Sequence, residues 1–220
     1  MPLTKLSLLA LTAAVLMTLP AFAGDTFTIF NNPGDGVYIP STMNLGGGDG
    51  SGGVINGLGN INFSTGLLEL SVPTSWATWN SPPFTESSTP NVLYTQGSTT
   101  LTLTLASGKF NTAGFELEPD LRQLEDVQVS FFNQNNQLIA TIDRMVNGDG
   151  GALLFALQDD TLGSTISSIQ ITDEAEDDFA IAQLREGNSV PVPEPSMPLT
   201  LGTTGAIAAV GGLIRRKLGR

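Results

Sequence analysis

The chain contains no cysteine and no histidine. Without cysteine there can be no disulfide, no thiol nucleophile and no soft-metal site. Without histidine, Ser-His-Asp catalysis and ordinary zinc ligation are closed. Positive charge is scarce as well. Nine Lys and Arg face twenty-one Asp and Glu, a net charge of −12. Five of those bases sit near the ends (Lys5, Arg215, Arg216, Lys217 and Arg220), so residues 24–196 hold four bases, all twenty-one acids and a net charge of −17. Phosphate backbones need Lys and Arg, which excludes nucleic acid as a partner. No phosphate loop or dinucleotide fingerprint is present. What remains is oxygen chemistry: a carboxylate pair of the kind glycosidases use, or calcium held by oxygen ligands. The charge also serves solubility outside the cell.

Both ends carry routing signals. Lys5 precedes an apolar run over residues 6–19, and Pro20-Ala-Phe-Ala23 ends in the small-x-small pattern that signal peptidase accepts. This predicts a signal peptide over 1–23, cut before Gly24. At the other end, residues 197–214 are eighteen positions without a charge. As a helix they would span roughly 27 Å, slightly short of a ~30 Å hydrocarbon core. Gly202, Gly205, Gly211 and Gly212 weaken that helix. Arg215, Arg216 and Lys217 follow and should stay cytoplasmic by the positive-inside rule. The body is then delivered outward. Before the span, residues 186–196 form a polar linker in which Pro191, Pro193 and Pro195 keep the chain extended and open to a protease.

The triplet Pro193-Glu194-Pro195, the short span and the Arg-Arg-Lys end resemble the sorting tail of PEP-CTERM proteins. The resemblance covers about the last thirty residues, with its three parts in the family's order. It implies processing near the triplet by exosortase, a membrane-embedded transpeptidase-like enzyme, and passage to the surface or extracellular matrix. Members share this tail and differ in the body, so the resemblance supplies an address more than an activity.

The body reads as all-β. Leu101, Leu103 and Leu105 alternate with Thr100, Thr102 and Thr104, the period of a half-buried strand. Residues 126–132 and 137–143 alternate likewise around the polar Asn133-Gln-Asn-Asn136 turn. Further strands are expected at 25–31, 66–72, 91–94, 114–118, 152–157, 167–172 and 179–184. Ten short strands between turn signals predict an antiparallel fold over 24–185, a two-sheet sandwich or a barrel. Leu45 opens a Gly-rich stretch, 45–59, expected as a loop. The run Phe110-Asn-Thr-Ala-Gly-Phe-Glu-Leu117 and the pairs over 127–143 and 166–184 resemble the bodies of PEP-CTERM proteins. That resemblance implies a jelly-roll-like fold similar to carbohydrate-binding modules.

Three groups of residues are candidates for chemistry. Trp76 and Trp79 could stack on sugar rings; three residues apart on a strand, one should face the core and the other the surface. Asp173, Glu174, Glu176, Asp177 and Asp178 crowd a turn where a calcium ion would relieve repulsion. Phe179-Ala-Ile181 is followed by Ala182 and Gln183, where the family's closing run has Asp. Glu116 and Glu118 should share one face of a strand, and either they or Asp159-Asp160 could supply half of a glycosidase pair. No partner at the required separation is indicated, so the reading is a non-catalytic exported protein of the surface or polysaccharide matrix, needing no cofactor. A surface carbohydrate-binding module is the alternative.

Overall fold

The computed structural model describes residues 26–35, 53–106, 110–161, 163–173 and 178–188. Its regular elements are all strands: β1 (Phe27–Phe30), β2 (Val54–Leu58), β3 (Ile61–Ser71), β4 (Asn91–Tyr94), β5 (Thr100–Leu105), β6 (Thr112–Pro119), β7 (Leu124–Asn133), β8 (Leu138–Asn147), β9 (Leu153–Asp159), β10 (Ile166–Asp173) and β11 (Phe179–Gly187). The leader, Glu174, Glu176, Asp177, the Pro193-Glu194-Pro195 triplet, the span and Arg215, Arg216 and Lys217 lie outside the described residues, as does the expected helix at each end.

The protein is all-β and antiparallel. Hydrogen bonding runs without a break in the order β1-β9-β6-β11-β4-β3-β5-β10-β7-β8, with β2 paired to β3. β3 joins the two halves of this order. Its first residues, Ile61 to Phe63, pair with β5, while Leu68 to Ser71 pair with β4. Sequence alternation alone places the start of this strand at Gly66 and Val54–Leu58 in a loop. The Gly-rich stretch instead ends in β2, whose residues Ile55 and Leu58 pack against the core. Val54 and Asn56 are exposed and Gly57 has no side chain, so no two-residue apolar period marks this strand.

The core forms where the apolar alternation of each strand turns inward. Leu101, Leu103 and Leu105 are buried, as are Val127, Val129 and Phe131 opposite Ile169 and Ile171. Phe115 and Phe155, in register on β6 and β9, stack at 6.2 Å between ring centroids. Each such side chain contributes about 1.5–3 kcal/mol by leaving water. The 133–136 turn forms as its chemistry predicts. Asn133 Oδ1 accepts from the backbone N–H of Asn135 and Gln137 at 2.9 and 3.0 Å, and Asn136 takes φ 58°.

The sheet rolls until its far edges meet. Arg144 on β8 donates to the carbonyl of Leu154 on β9, to Phe30 O on β1 at 3.2 Å and to Asn31 Oδ1 at 2.9 Å. Its guanidinium also lies 5.3 Å from the centre of the Phe155 ring. Arg144→Met should therefore cost about 2 kcal/mol, because charge-assisted bonds to edge carbonyls are lost while the apolar stem is kept. A urea titration checks this; an unchanged midpoint would remove Arg144 from the closure.

Candidate functional site: the covered outer face of β6

Every residue of β6 is buried. For a strand with one wet face that would be impossible; here both faces are covered. Ala113, Phe115 and Leu117 enter the main core. Glu116 and Glu118 take the opposite face, as two-residue alternation requires, and are 0% and 1% exposed. What covers them is the irregular segment 72–90. Trp76 and Trp79 from this segment pack with Val72, Val92, Ala180 and Ala182 in a second apolar cluster. Ala180 and Ala182 lie in register with Glu118 and Glu116, so the neighbouring strand presents only methyl groups where the indoles must fit. Gly151 allows the segment to come close. Its φ is +89°, and a Cβ there would sit 2.5 Å from Asn80 N.

This arrangement corrects the expectation for the two tryptophans. Segment 72–90 is not a strand, so spacing by three does not send them to opposite sides. Both are buried, at 7% and 9% exposure, and the Trp76 ring packs against Tyr94 at 5.4 Å. Neither offers an open face for sugar stacking. Their polar edges matter more, because each indole N–H is turned toward one of the two glutamates.

Glu116 is held in a closed network. Its Oε2 accepts from Trp79 Nε1 at 3.3 Å, and its Oε1 accepts from the backbone N–H of Glu86 at 2.8 Å and from Arg185 Nη2 at 3.3 Å. Arg185 is 1% exposed and also donates to Gln183 O from Nε and Nη2, at 3.2 and 2.9 Å. Gln183 is best placed with its amide nitrogen on Glu116 and its oxygen accepting from Ser87 N–H at 2.8 Å. Burial pushes the Glu116 carboxyl upward, against the pull of the Glu86 and Trp79 donors. Burial also pushes Arg185 down to about 9. The two face each other as an ion pair, each compensating the other's desolvation.

A β-bulge makes this pairing possible. The register of β11 on β6 slips between Ala182 and Arg185, and Gln183 takes φ 51°. One extra residue reverses the parity of the strand beyond it. Leu184 therefore turns into the core with Ile181, and Arg185 turns out to meet Glu116. The sequence reading did not single out Arg185. The available signal was its position, a lone cation after Phe179-Ala-Ile-Ala-Gln-Leu184 in a body with only four bases.

Glu118 is different, since it borders a cavity. The cavity holds about 190 Å3 and is lined by Ser75, Trp76, Ala77, Thr78, Glu118, Pro119, Asp120 and Arg122. Glu118 Oε1 makes a short hydrogen bond with Thr78 Oγ1, and Thr78 Oγ1 also lies 3.2 Å from Gly148 O. Thr78 has one hydroxyl proton for two acceptors. A protonated Glu118 resolves this by donating to Thr78, which then donates to Gly148. Burial pushes the Glu118 carboxyl up to about 7; the Thr78 and Trp76 donors pull it back and the Asp120 charge adds to the rise. Trp76 Nε1 is close enough to Glu118 to favour its charged form, but makes no hydrogen bond of ordinary geometry. Among the described residues neither Trp76 Nε1 nor Glu118 Oε2 has a hydrogen-bond partner.

Tyr94 connects this region to the acidic turn. Its hydroxyl donates to Asp178 Oδ2 at 2.6 Å and lies 3.4 Å from Asp120 Oδ2. Burial and these two carboxylates hold its phenol well above the usual tyrosine range. Asp178 also accepts from Gly97 N–H at 2.6 Å. Asp173, the last residue of β10, is buried rather than on an open turn. The structure thus places two of the five predicted calcium ligands, one buried at a strand end and one bonded to Tyr94. Among the described residues no three acids are grouped to hold a metal. Asp159 and Asp160 lie at the β1–β9 end of the sheet, where Asp160 bonds to Thr28 at 2.9 Å, and they do not join the Glu116–Glu118 face.

No family model and no curated protein matches the chain. Among solved structures it is similar to the enzymatically active domain of bacteriophage CBA120 tailspike protein 4, at 18% identity and a TM-score of 0.35. The match covers 68% of this chain and 21% of that one. At that TM-score the likeness carries no argument about fold or function.

Proposed function

We propose that this is an exported, non-catalytic protein of the cell surface or extracellular matrix, associated with polysaccharide there. The observation that carries the reading is the order of parts: leader, strongly acidic β-rich body, Pro193-Glu194-Pro195, uncharged span and basic end. Signal peptidase removes 1–23, the span holds the chain in the membrane, and exosortase cuts near the triplet. The rolled sheet is read as two layers of a jelly-roll-like sandwich, with β3 passing from one to the other. The body supports a non-catalytic role in two ways. It has neither thiol nor imidazole. The more deeply buried of its two outer-face glutamates, Glu116, is committed to Arg185 and closed off by segment 72–90.

The mature protein should end close to Pro193, as read by mass spectrometry of the exported form. An intact Arg220 in that form would overturn the sorting, and release of reducing sugar from matrix polysaccharide would overturn the non-catalytic part. The second reading, a surface carbohydrate-binding module, is favoured by one observation, the polar cavity beside Glu118.

A further inference from the structure

We infer that the open face of β5, β10, β7 and β8 is a docking surface for a neutral polysaccharide chain, held by rows of hydroxyl and amide side chains that cross the strands. This deepens the polysaccharide reading above and rests on it for the ligand class; the surface itself follows from register and composition.

Strand alternation builds the rows. Leu101, Leu103, Val127, Val129, Ile169 and Ile171 are buried in the core, so the residues between them face outward. Register then lines those residues up. Thr102, Gln170, Ser130 and Thr141 form one row across the four strands. Thr100, Thr172, Gln128 and Asp143 form the next. On the other side of the first row, Thr104 and Ser168 run into Phe132 and Leu138. Neighbouring strands lie about 4.8 Å apart, so each row is about 14 Å long, the reach of about three pyranose units. Every side chain of the first two rows is exposed or half-buried. Segment 72–90 covers the outer face of β6, whereas this face stays open.

Chemistry selects the partner. Hydroxyl and amide groups both donate and accept. In the first two rows, one side-chain hydrogen bond is formed among the described residues, between Ser130 and Thr141 at 3.0 Å. The remaining donors and acceptors point to whatever lies outside. A chain of sugar hydroxyls is the complement of that set, since each hydroxyl can accept from one side chain and donate to the next. Charge narrows the class. Residues 24–196 carry a net charge of −17, yet Asp143 is the single charged group in the three rows. Asp126 stands one row further on, opposite Met145. The rows hold no Lys or Arg, so nothing offsets repulsion between the acidic body and a polyuronate. A neutral glycan is therefore preferred. A protein partner would want an apolar or aromatic centre, and a lipid surface an apolar or basic one; the first two rows have neither. Phe132 and Leu138 supply apolar surface at one end, where the C–H face of a sugar ring can rest.

The test is calorimetric titration of the purified full chain, in a detergent without a sugar headgroup, with cellohexaose, mannohexaose and the hexamer of guluronic acid, each beside its disaccharide. At least one neutral hexasaccharide should bind with a Kd on the order of millimolar or tighter. It should bind about tenfold more tightly than its disaccharide, which leaves part of each row unfilled, and about tenfold more tightly than the guluronate. Thr102→Val and Thr141→Val each remove one hydroxyl and keep the β-branched shape that suits a strand. Each should weaken hexasaccharide binding about threefold, and the double variant about tenfold, with folding unchanged by melting temperature. Thr89→Val, an exposed position on segment 72–90, should bind as the natural protein does. The inference is overturned if no neutral hexasaccharide binds saturably, if the double variant binds normally, if the disaccharide or the guluronate binds as well as the neutral hexasaccharide, or if Thr89→Val loses as much as the double variant. Binding that survives the double variant would put the glycan elsewhere on the body and leave the polysaccharide reading standing. Sorting is read separately at the C-terminus of the exported form.

Discussion

Arg185→Met should destabilise the domain by about 3–5 kcal/mol, the loss expected when one partner of a buried ion pair is removed. The guanidinium is 1% exposed and its partner Glu116 is 0% exposed, so no water is available to replace the lost charge. Glu116 would keep the N–H groups of Trp79 and Glu86 but no cation. It would then be forced toward its neutral form, and the bulge that turned Arg185 outward would lose its anchor. Lysine should rescue little. Arg185 donates to Gln183 O and to Glu116 Oε1 at once, a forked pattern that a single ammonium on a flexible stem reproduces poorly. Removing both charges is a different matter. Glu116→Leu combined with Arg185→Met should recover most of the loss, because an apolar pair avoids desolvating either ion. Urea denaturation of the three variants at pH 7 decides the point. A single-variant loss below about 1 kcal/mol would place the pair among weak, solvent-screened ones.

The second large effect is on the pH dependence of stability. In the unfolded chain the Glu118 carboxyl titrates near its ordinary 4.5, and in the fold near 7. Between those values the unfolded chain has released a proton that the folded chain still holds. Raising the pH through this window therefore favours unfolding. The contribution of Glu118 is complete below 4.5, is lost as the pH rises toward 7, and is flat above. A shift of this size corresponds to roughly 2–3 kcal/mol after allowance for partial solvation. Glu116 acts in the same direction but shares its titration with Arg185. Comparison with Glu118→Gln separates the Glu118 part from every other group. The variant should match the natural protein at pH 4 and exceed it by that amount at pH 8. Parallel stability curves for the two proteins across this range would show that Glu118 is not desolvated in the fold.

Strand content was legible because it depends on local alternation. Leu101-Thr-Leu-Thr-Leu105 and Val127-Gln-Val129 each carry a period of two that needs no distant partner to read. β2 shows no such period, because Val54 and Asn56 are exposed and Gly57 has no side chain. The candidate site was legible by halves. The shared face of Glu116 and Glu118 follows from spacing, and both tryptophans were singled out. Their meeting was not, because segment 72–90 has no regular period that could indicate which surface it covers. Arg185 was out of reach for a sharper reason. Its outward direction depends on one inserted residue, and strict alternation would have turned it the other way.

The amino-acid sequence alone determined the strand-rich class, the acidic charge, the absence of thiol and imidazole chemistry, and the order of apolar, proline-bearing and basic segments at the two ends. All of these are sums or short-range patterns along the chain. Tertiary structure alone decided that Trp76 and Trp79 close over β6, that Glu116 meets a cation, and that Glu118 borders a cavity. Those outcomes turn on burial and register between segments far apart in the chain, and burial is what converts two ordinary carboxylates into groups whose charge must be compensated.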